Sequence, residues 1–357
     1  MLEAVAKGTA LVGGALAVVV TVLPLFRSKQ WWIRIWDFPR LQIAVAAAVS
    51  LALWLYAAGW DGSGDRVFLG LVALAVLFQA ALIWRYTRLA PREVQRSERE
   101  DSDARVSLVM CNVLQTSRDA ERLLRVVQAP DPDVVLCVET DEWWRERLDV
   151  LAESRPHVLR CALPNTYGML LYSRLPLEDP QIDFLVQSDV PSMQARLVLR
   201  NGQRVWLNCV HPRPPAPTEA AESLPRDAEL LLVGKRVSGS KLPVIVCGDL
   251  NDVAWSRSTR LFQKVSRLLD PRKGRGFYAT FHARWPGLRW PLDHVFFSDD
   301  FRLVEMRRLP YSGSDHFPVH VVVSHEPAAA VEQEAPEAEA EDIEEAHETV
   351  ARAKASG

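Results

Sequence analysis

The sequence of 357 residues predicts an α/β sandwich that follows a region of transmembrane helices. Between residues 105 and 324, short apolar runs typical of strands alternate with segments whose apolar residues recur at helical spacing. This alternation favours central sheets flanked by helices. Within the first ninety residues, three stretches carry no charge and approach the roughly 20 residues that a bilayer-spanning helix needs.

The three uncharged stretches cover about residues 8–26, 41–60 and 67–84. Tryptophan and tyrosine cluster near their ends, as they do at membrane interfaces. A cleaved signal peptide would explain only the first stretch. It is disfavoured because Pro24-Leu25-Phe26 lacks the small residues of a cleavage site and two further stretches follow. We therefore predict a membrane region of three helices in residues 1–90.

The distribution of basic residues predicts the orientation of these helices. The first loop and the segment after the third stretch are rich in Lys and Arg, whereas the N-terminus and the second loop contain only Lys7 and Arg66. Basic flanks favour the cytoplasmic side, so we expect residues 105–357 to be cytoplasmic. The five cysteines form no Cys-x-x-Cys motif and cannot all pair, which agrees with a reducing compartment.

Two segments outside the sandwich are strongly charged. Residues 91–104 lack periodicity and are predicted to be a charged linker. From Glu326 onward, ten acidic residues face only Arg352 and Lys354, a net charge of −8 against +5 for residues 1–325. This Ala- and Glu-rich tail has too few apolar residues for a core. We expect residues 325–357 to be disordered or a single solvated helix.

Polar residues recur where the predicted strands begin or end. Each one alone is explained by a turn or a helix cap. Together they suggest one cleft, because ligands bind at strand ends in α/β proteins and hard cations prefer oxygen ligands. The residues are Asn112 after VSLVMC, Glu139 ending VVLCVE, His211 ending VWLNCV, Asp249 and Asn251 after VIVC, Asp293 opening DHVFFS, and Asp315 and His316 before FPVHVVV.

Six short motifs, in this order, resemble those of the endonuclease/exonuclease/phosphatase (DNase I-like) superfamily. They are CN at 111–112, VET at 138–140, NCVH at 208–211, GDLN at 248–251, LDHVF at 292–296 and GSDHFP at 313–318. The resemblance covers residues 105–324 and extends in particular to bacterial membrane-anchored members. It implies a four-layer α/β sandwich, an inner-membrane location and a phosphoesterase that uses Mg²⁺ or Mn²⁺.

The resemblance also implies a role for each residue of the predicted cleft. The implied metal site consists of Glu139 as a ligand, with Asn112 and Asp315 close to the ion or orienting its waters. Among the implied catalytic residues, Asp249 positions or deprotonates the attacking water and Asn251 holds the phosphate. His316, oriented by Asp293, stabilises the developing negative charge or donates a proton. His211 donates to a phosphate oxygen.

The sequence leaves the phosphoester open. Residues 104–325 contain 29 Lys and Arg against 26 Asp and Glu, a net charge of +3, which is small for a nuclease. The dense basic patch PRKGRG at 271–276 suits a nucleic acid, a lipid headgroup or an anionic membrane surface equally. A membrane tether raises the effective concentration of lipids, so we expect a phosphorylated, lipid-linked substrate.

Two other functions remain open. The first is a metal-dependent endonuclease or exonuclease, for which nucleic acid would be the substrate. A non-enzymatic membrane adaptor is disfavoured, because every expected catalytic position is filled. No feature of the sequence indicates an oligomeric state.

Overall fold

The computed structural model describes residues 1–356, and the chain divides into two compact units. We call Met1–Ala90 together with Pro215–Ser223 the membrane unit, after the spans that the sequence predicts there. We call Pro91–Pro214 and the chain from Leu224 onward the catalytic unit, after the catalytic residues that the sequence predicts there. The second unit is thus interrupted by nine residues that belong, by their contacts, to the first.

The membrane unit consists of helices. They are α1 (Leu2–Val22), α2 (Trp31–Arg34), α3 (Arg40–Ala57) and α4 (Ser63–Ile83). Among the described residues, three helical segments are long and apolar enough to cross a membrane: Leu2–Leu25, Arg40–Ala57 and Ser63–Tyr86. These correspond to the three stretches that the sequence predicts.

A chain of buried polar side chains joins the three long helices. Arg40 donates from Nη1 to Oε1 of Gln79 at 3.0 Å, and Nε2 of Gln79 donates to Oγ1 of Thr21 at 2.9 Å. Asp37 forms ion pairs with Arg40 and with Arg34, the latter at 3.1 Å. Buried polar groups are costly unless paired, so this network favours one packing of α1, α3 and α4.

The catalytic unit contains the remaining helices and all the strands of the described chain. The helices are α5 (Ala120–Gln128), α6 (Glu142–Leu148), α7 (Leu224–Ser238), α8 (Arg257–Ser266) and α9 (Ala340–Ser356). The strands are β1 (Arg105–Asn112), β2 (Val134–Val138), β3 (His157–Cys161), β4 (Met169–Ser173), β5 (Leu177–Asp183), β6 (Ser192–Val198), β7 (Arg204–Cys209), β8 (Val244–Asp249), β9 (Asp293–Phe297), β10 (Phe301–Arg308) and β11 (Val319–His325).

Three of these helices begin at side chains that cap them. The side chains of Asp119, Asp141 and Ser256 accept hydrogen bonds from backbone N–H groups in the first turns of α5, α6 and α8, at 3.2, 3.0 and 3.0 Å. Such caps satisfy N–H groups that have no partner within the helix. In each case the cap therefore determines the residue at which the helix begins.

The strands form two sheets that pack face to face. One has the order β10-β11-β1-β2-β4-β3 and the other β5-β6-β7-β8-β9. The largest apolar cluster combines residues of both sheets, including Met110, Leu136, Leu207 and Val295. Separate clusters join α5 and α6 to the first sheet and α7 and α8 to the second. These layers confirm the predicted four-layer α/β sandwich.

The pairing of the strands gathers their polar ends. β1 runs parallel to β2, and β7 runs parallel to β8, so the carboxyl ends of each pair lie at the same edge. β8 and β9 are antiparallel, with Asp249 directly opposite Asp293. Gly248 precedes Asp249 with φ +147°, and a Cβ there would lie 1.9 Å from the carbonyl oxygen of Val210. Only glycine permits this close approach of β8 to the end of β7.

Residues 91–104, expected to be a linker, pack instead on the catalytic unit. Val94 is fully buried in the largest apolar cluster. Glu93 forms an ion pair with Lys273 at 2.7 Å, and the N–H of Ser97 donates to the carbonyl of Leu303 at 2.9 Å. Of the charges that suggested a solvated linker, Glu93 therefore has a partner on the surface that the segment covers.

The acidic tail also differs from the expectation. Helix α9 places Ala346 against Leu231 and Leu261, and Ala353 against Leu224 and Ala228. Its small alanines allow the close approach, and its acidic residues meet basic residues of α8. Asp342 pairs with Lys264 at 2.8 Å, and Glu345 pairs with Arg257. Basic residues of α8 therefore offset two of the acidic charges that suggested disorder.

Reversing one of these charges should release α9. We expect Asp342→Lys to place a lysine beside Lys264 and so to detach the helix, because like charges repel where an ion pair stood. Limited proteolysis of residues 337–356 should then accelerate several-fold. Glu344→Lys, the same change at an exposed position of α9, is the control. Equal protection of the tail in both variants would contradict the packing described.

Candidate active site

The structure brings most of the predicted residues together where strands of the two sheets end. Asn112 ends β1, Glu139 follows β2, Asp249 ends β8 and Asp293 begins β9. His316 lies in the segment between β10 and β11. These five side chains form one connected group of hydrogen bonds and ion pairs.

Asn112 connects the carboxylates of the two sheets. Its Nδ2 donates to Oε1 of Glu139 at 2.7 Å and to Oδ2 of Asp249 at 3.1 Å. Its Oδ1 accepts from the N–H of Leu114 at 2.9 Å, which fixes the amide. One side chain therefore sets the spacing of two acidic residues that lie 110 positions apart in the sequence.

His316 lies between two buried aspartates. Its Nδ1 is 2.8 Å from Oδ2 of Asp293, and its Nε2 is 3.6 Å from Oδ2 of Asp249. Burial alone would lower the pKa of His316, but the charges of Asp293 and Asp249 outweigh it and raise that pKa to about 10. Burial raises the pKa of Asp249, against the opposing effect of His316. At neutral pH the imidazole is therefore charged and able to donate a proton.

Glu139 is a partly exposed carboxylate in an unusual backbone conformation. Its φ is +61°, and its Oε2 accepts from the N–H of Gln115 at 3.3 Å. Desolvation by burial raises the pKa of Glu139 to about 7, and Asp249 and Asp315 add to this effect. A raised pKa means that the protonated form of the carboxyl group is favoured. A nearby cation would stabilise the ionised form instead.

His211 is buried and has a different environment from His316. Burial lowers the pKa of His211 to about 4, so its imidazole is neutral at physiological pH. Among the described residues, its Nδ1 has no hydrogen-bond partner. Its ring lies 5.6 Å from that of Tyr167. A neutral imidazole with an unpaired ring nitrogen has hydrogen-bonding capacity left for a substrate.

Asn251 holds the backbone beside His211. With φ +50°, its N–H donates to Oδ1 of Asp249 at 2.9 Å, and its Nδ2 donates to the carbonyl of Pro212 at 3.0 Å. Its own carbonyl accepts from Nη1 of Arg226 at 2.8 Å. In this structure the amide nitrogen is thus occupied by Pro212.

The hydrogen bonds of Asp315 lie outside the connected group. Its carboxylate accepts from Oγ of Ser314 at 3.3 Å, and its carbonyl accepts from the N–H of Ala283 at 2.6 Å. Its charge contributes to the raised pKa of Glu139. The structure therefore links Asp315 to the predicted metal site through its charge.

Several residues of the site were not singled out from the sequence. Gln115 and Tyr167 contact Glu139 and His211, Arg226 contacts Asn251, and Phe281 lies with its ring 5.0 Å from that of His316. Gln115 lies three positions after Asn112 of the CN motif, so its closeness to that motif was a sequence indication of its place in the site. The other three come from loops and a helix start that only the fold brings to the site.

The oxygen-rich chemistry of the group fits a divalent metal ion. Glu139, Asp249, Asp293 and Asp315 outweigh the single charge of His316, and a hard cation would offset this excess. Carboxylate oxygens of Asp249 and Asp293 and a ring nitrogen of His316 also lie within 4.8 Å of one another. Two sets of residues could therefore hold a cation: Glu139 with Asn112, as the sequence predicts, and Asp249 with Asp293 and His316.

Comparison with known proteins identifies the family of the chain. A family model described as the Endonuclease/Exonuclease/phosphatase family matches residues 111–316, more than half of the chain. None of the curated protein sequences compared with the chain matched it.

Two solved structures share the fold. One is an endonuclease/exonuclease/phosphatase from Beutenbergia cavernae DSM 12333, with TM-score 0.51 and 16% identity over 62% of this chain and 72% of that one. The other is D. rerio TDP2 complexed with a single-strand DNA product, with TM-score 0.51 and 17% identity over 62% of this chain and 100% of that one. At such identities the likeness concerns the fold.

The family match spans the whole set of strand ends from Cys111 to His316, and the fold is that of solved relatives. The chain belongs to the endonuclease/exonuclease/phosphatase family, whose members are hydrolases acting on phosphoester bonds.

Proposed function

We propose that this protein is a membrane-anchored, divalent-metal-dependent phosphoesterase that hydrolyses a phosphate ester presented at a membrane. One observation carries the choice of substrate: a hairpin beside His316 exposes apolar and basic side chains in a chain with three helices able to cross a membrane. The reaction class itself follows from the family.

The hairpin comprises residues 280–290. Phe281 forms antiparallel backbone bridges with Trp290 and with His316, which fixes the base of the hairpin beside His316. At its tip, Trp285 is 62% exposed and Leu288 is 49% exposed. Arg284 and Arg289 flank them. Exposed tryptophan and leucine beside arginine are typical of segments that enter a membrane interface.

Asp249 and His316 have complementary roles in the proposed reaction. Asp249 accepts a proton from a water molecule that attacks phosphorus in line with the leaving oxygen. His316, charged and held by Asp293, donates a hydrogen bond to the developing negative charge and then a proton to the leaving oxygen. His211 donates to a phosphate oxygen. Asn251 keeps Asp249 and the backbone next to His211 in place, and its predicted phosphate contact would require Nδ2 to leave Pro212.

A Mg²⁺ or Mn²⁺ ion would be held by Glu139, with Asn112 and Asp315 orienting its waters. When bound, the ion supplies positive charge to the phosphate oxygens. Asn112 would keep Glu139 and Asp249 at a fixed spacing through its two hydrogen bonds.

Nucleic acid is the second candidate substrate. The basic patch at 271–276 is the feature that favours it. In the structure, however, Lys273 pairs with Glu93 and Arg272 pairs with Asp270, and both basic side chains are buried. These charges already have partners, which leaves the patch little capacity for a phosphate backbone.

The test of the substrate class uses the full-length protein in lipid vesicles with Mg²⁺. We expect hydrolysis of a phosphate-headed lipid or a lipid pyrophosphate and slow or no cleavage of plasmid DNA. Rapid cleavage of DNA with intact lipids would favour the nuclease instead.

The catalytic unit is proposed to be cytoplasmic, in a bacterial inner membrane. The basic first loop and the basic segment after α4 lie on the same side of three spans. A fluorescent protein fused to the C-terminal end should fluoresce, and an alkaline phosphatase at the same position should be inactive. Alkaline phosphatase activity from that fusion would reverse the orientation.

Removing the charge of Glu139 should weaken metal binding. We expect Glu139→Gln, which conserves size, to raise the Mg²⁺ concentration for half-maximal activity by about tenfold or more, on the scale seen when metal-site residues are changed. The melting temperature should change little. EDTA should abolish the activity of the parent protein. Glu142→Gln, the same change at an exposed residue of α6, is the control, and an equal Mg²⁺ requirement in both variants would exclude Glu139 as a ligand.

Asp293 and His316 should act as one unit. We expect His316→Ala and Asp293→Asn each to lower kcat by about 10²-fold or more, the low end for a positioned acid–base group. The double variant should be hardly worse than the weaker single variant, because residues that act together are not additive. His157→Ala, at the start of β3, should retain full activity. Losses that multiply in the double variant, or that only follow the melting temperature, would contradict the pair.

A further inference from the structure

Arg272 is a fully buried cation behind the catalytic group. The sequence places it in a basic patch, but its exposure is 0%. Its Nε and Nη2 donate to the two carboxylate oxygens of Asp270 at 2.8 and 2.7 Å. Its Nη2 also lies 2.7 Å from Nδ1 of His294, and its Nη1 donates to the carbonyl of Asp293 at 3.4 Å. The guanidinium therefore holds the first two residues of β9.

His294 extends this hydrogen bonding to the loop that follows β8. A guanidinium only donates, so Nδ1 of His294 accepts from Arg272 and carries no proton. On the other side of the ring, Nε2 lies 2.9 Å from the carbonyl of Asp252, which only accepts. Nε2 therefore carries the proton, and both ring nitrogens have partners. His294, which is fully buried, is a neutral relay between Arg272 and Asp252.

Arg226 holds the same loop from the side of α7. Its Nη1 donates to the carbonyl of Asn251 at 2.8 Å, and its Nη2 lies 3.2 Å from Oδ2 of Asp252. This arginine is also buried. The loop that follows Asp249 is thus bound on two sides, by α7 and by His294 near the start of β9.

The link between the loop and β9 lies next to the catalytic aspartates. Asp249 and Asp293 stand directly opposite each other, and His316 lies 3.6 Å from the first through Nε2 and 2.8 Å from the second through Nδ1. Asp252 follows Asp249 by three residues, and His294 directly follows Asp293. The bond between Asp252 and His294 therefore ties the two strand ends together. A displacement of about 1 Å at reacting groups can lower a rate by about 10²-fold.

We propose that His294, held in one tautomer by Arg272, is a positioning residue for the proposed phosphoester hydrolysis. It acts through the backbone and keeps Asp249 and Asp293 at the spacing that His316 spans. The inference rests on the proposed function, because it concerns the rate of that reaction. It also gives Arg272 a role in the interior of the catalytic unit instead of at the backbone of a nucleic acid.

Two substitutions at His294 separate its hydrogen bonds from its bulk. The full-length protein in lipid vesicles with Mg²⁺ is assayed on bis(p-nitrophenyl) phosphate and on a phosphate-headed lipid. We expect His294→Met, which lacks an N–H donor, to lower kcat about tenfold or more and to leave KM within about twofold, because no substrate contact is lost. His294→Gln, which keeps a donor and an acceptor, should return kcat to within about threefold of the parent.

His320 provides the matched control. It is also a buried histidine of a strand, β11, and both its ring nitrogens have partners. Its Nε2 lies 2.9 Å from Oγ of Ser107, and its Nδ1 accepts from Nε of Arg307 at 3.3 Å. These partners lie outside the catalytic group. We expect His320→Met to lower the melting temperature as His294→Met does, but to leave kcat within about twofold of the parent.

The tautomer of His294 is testable without any activity. In the full-length protein with nitrogen-15-labelled histidine, the imidazole signals that disappear in His294→Gln belong to His294. We expect these signals to show a proton on Nε2 and none on Nδ1 at neutral pH. A proton on Nδ1 would overturn the relay, whatever the protein hydrolyses.

The kinetic outcomes separate this inference from the proposed function. Equal losses of kcat in His294→Met and His320→Met, a rise in KM alone, or no recovery in His294→Gln would overturn the positioning role and leave the phosphoesterase intact. If His294→Met does not fold, His294→Asn, whose shorter amide reaches Arg272 but not the carbonyl of Asp252, takes its place with the same expectations. A parent protein that hydrolyses neither substrate overturns the proposed function and the positioning role with it.

Discussion

The placement of His316 between Asp249 and Asp293 is the interaction on which the rest of the site depends. Two carboxylates stand directly opposite each other in the β8–β9 ladder, an arrangement that is unfavourable for like charges. The imidazole contacts both, and its raised pKa shows how strongly they favour its charged form. The strands can carry this pair at their ends because the histidine from a third segment neutralises part of the charge.

The remaining negative charge determines the other features of the site. Burial raises the pKa of both Asp249 and Glu139, so neither carboxylate is stable as an isolated anion. Asn112 satisfies an oxygen of each and connects the two sheets across the cleft. Gly248 permits the approach of β8 to Val210 that brings Asp249 there. A cation beside Glu139 would complete the balance of charge.

Ion pairs also accompany the packing of two charged segments on the catalytic unit. Residues 91–104 and helix α9 carry many charges and few large apolar residues, yet both pack on the catalytic unit through pairs such as Glu93–Lys273 and Asp342–Lys264. Small alanines in α9 bring the helix close enough for these pairs to form. The membrane unit follows this pattern too, since Asp37, Arg40 and Gln79 are buried there only as a connected network.

The sequence by itself determined the fold class, the three apolar helices and the identity of the strand-end residues. These depend on local patterns: apolar runs of a fixed length, and polar residues at the point where a run stops. The motif GDLN gave Asp249 because it follows directly where the apolar run VIVC stops. The order of residues 91–104 and of α9 could not be read in this way, because their partners lie elsewhere in the chain.

Only the tertiary structure decided which of these residues touch. The register of β8 against β9 set Asp293 opposite Asp249, and the pairing of the sheets gave Asn112 two carboxylates to join. In the folded chain, the amide nitrogen of Asn251 donates to Pro212, and Asp315 acts on the site through its charge. Arg226 and Phe281 also contact residues of the site there. Such contacts join residues far apart in the chain, and local sequence patterns carry no information about distance across a fold.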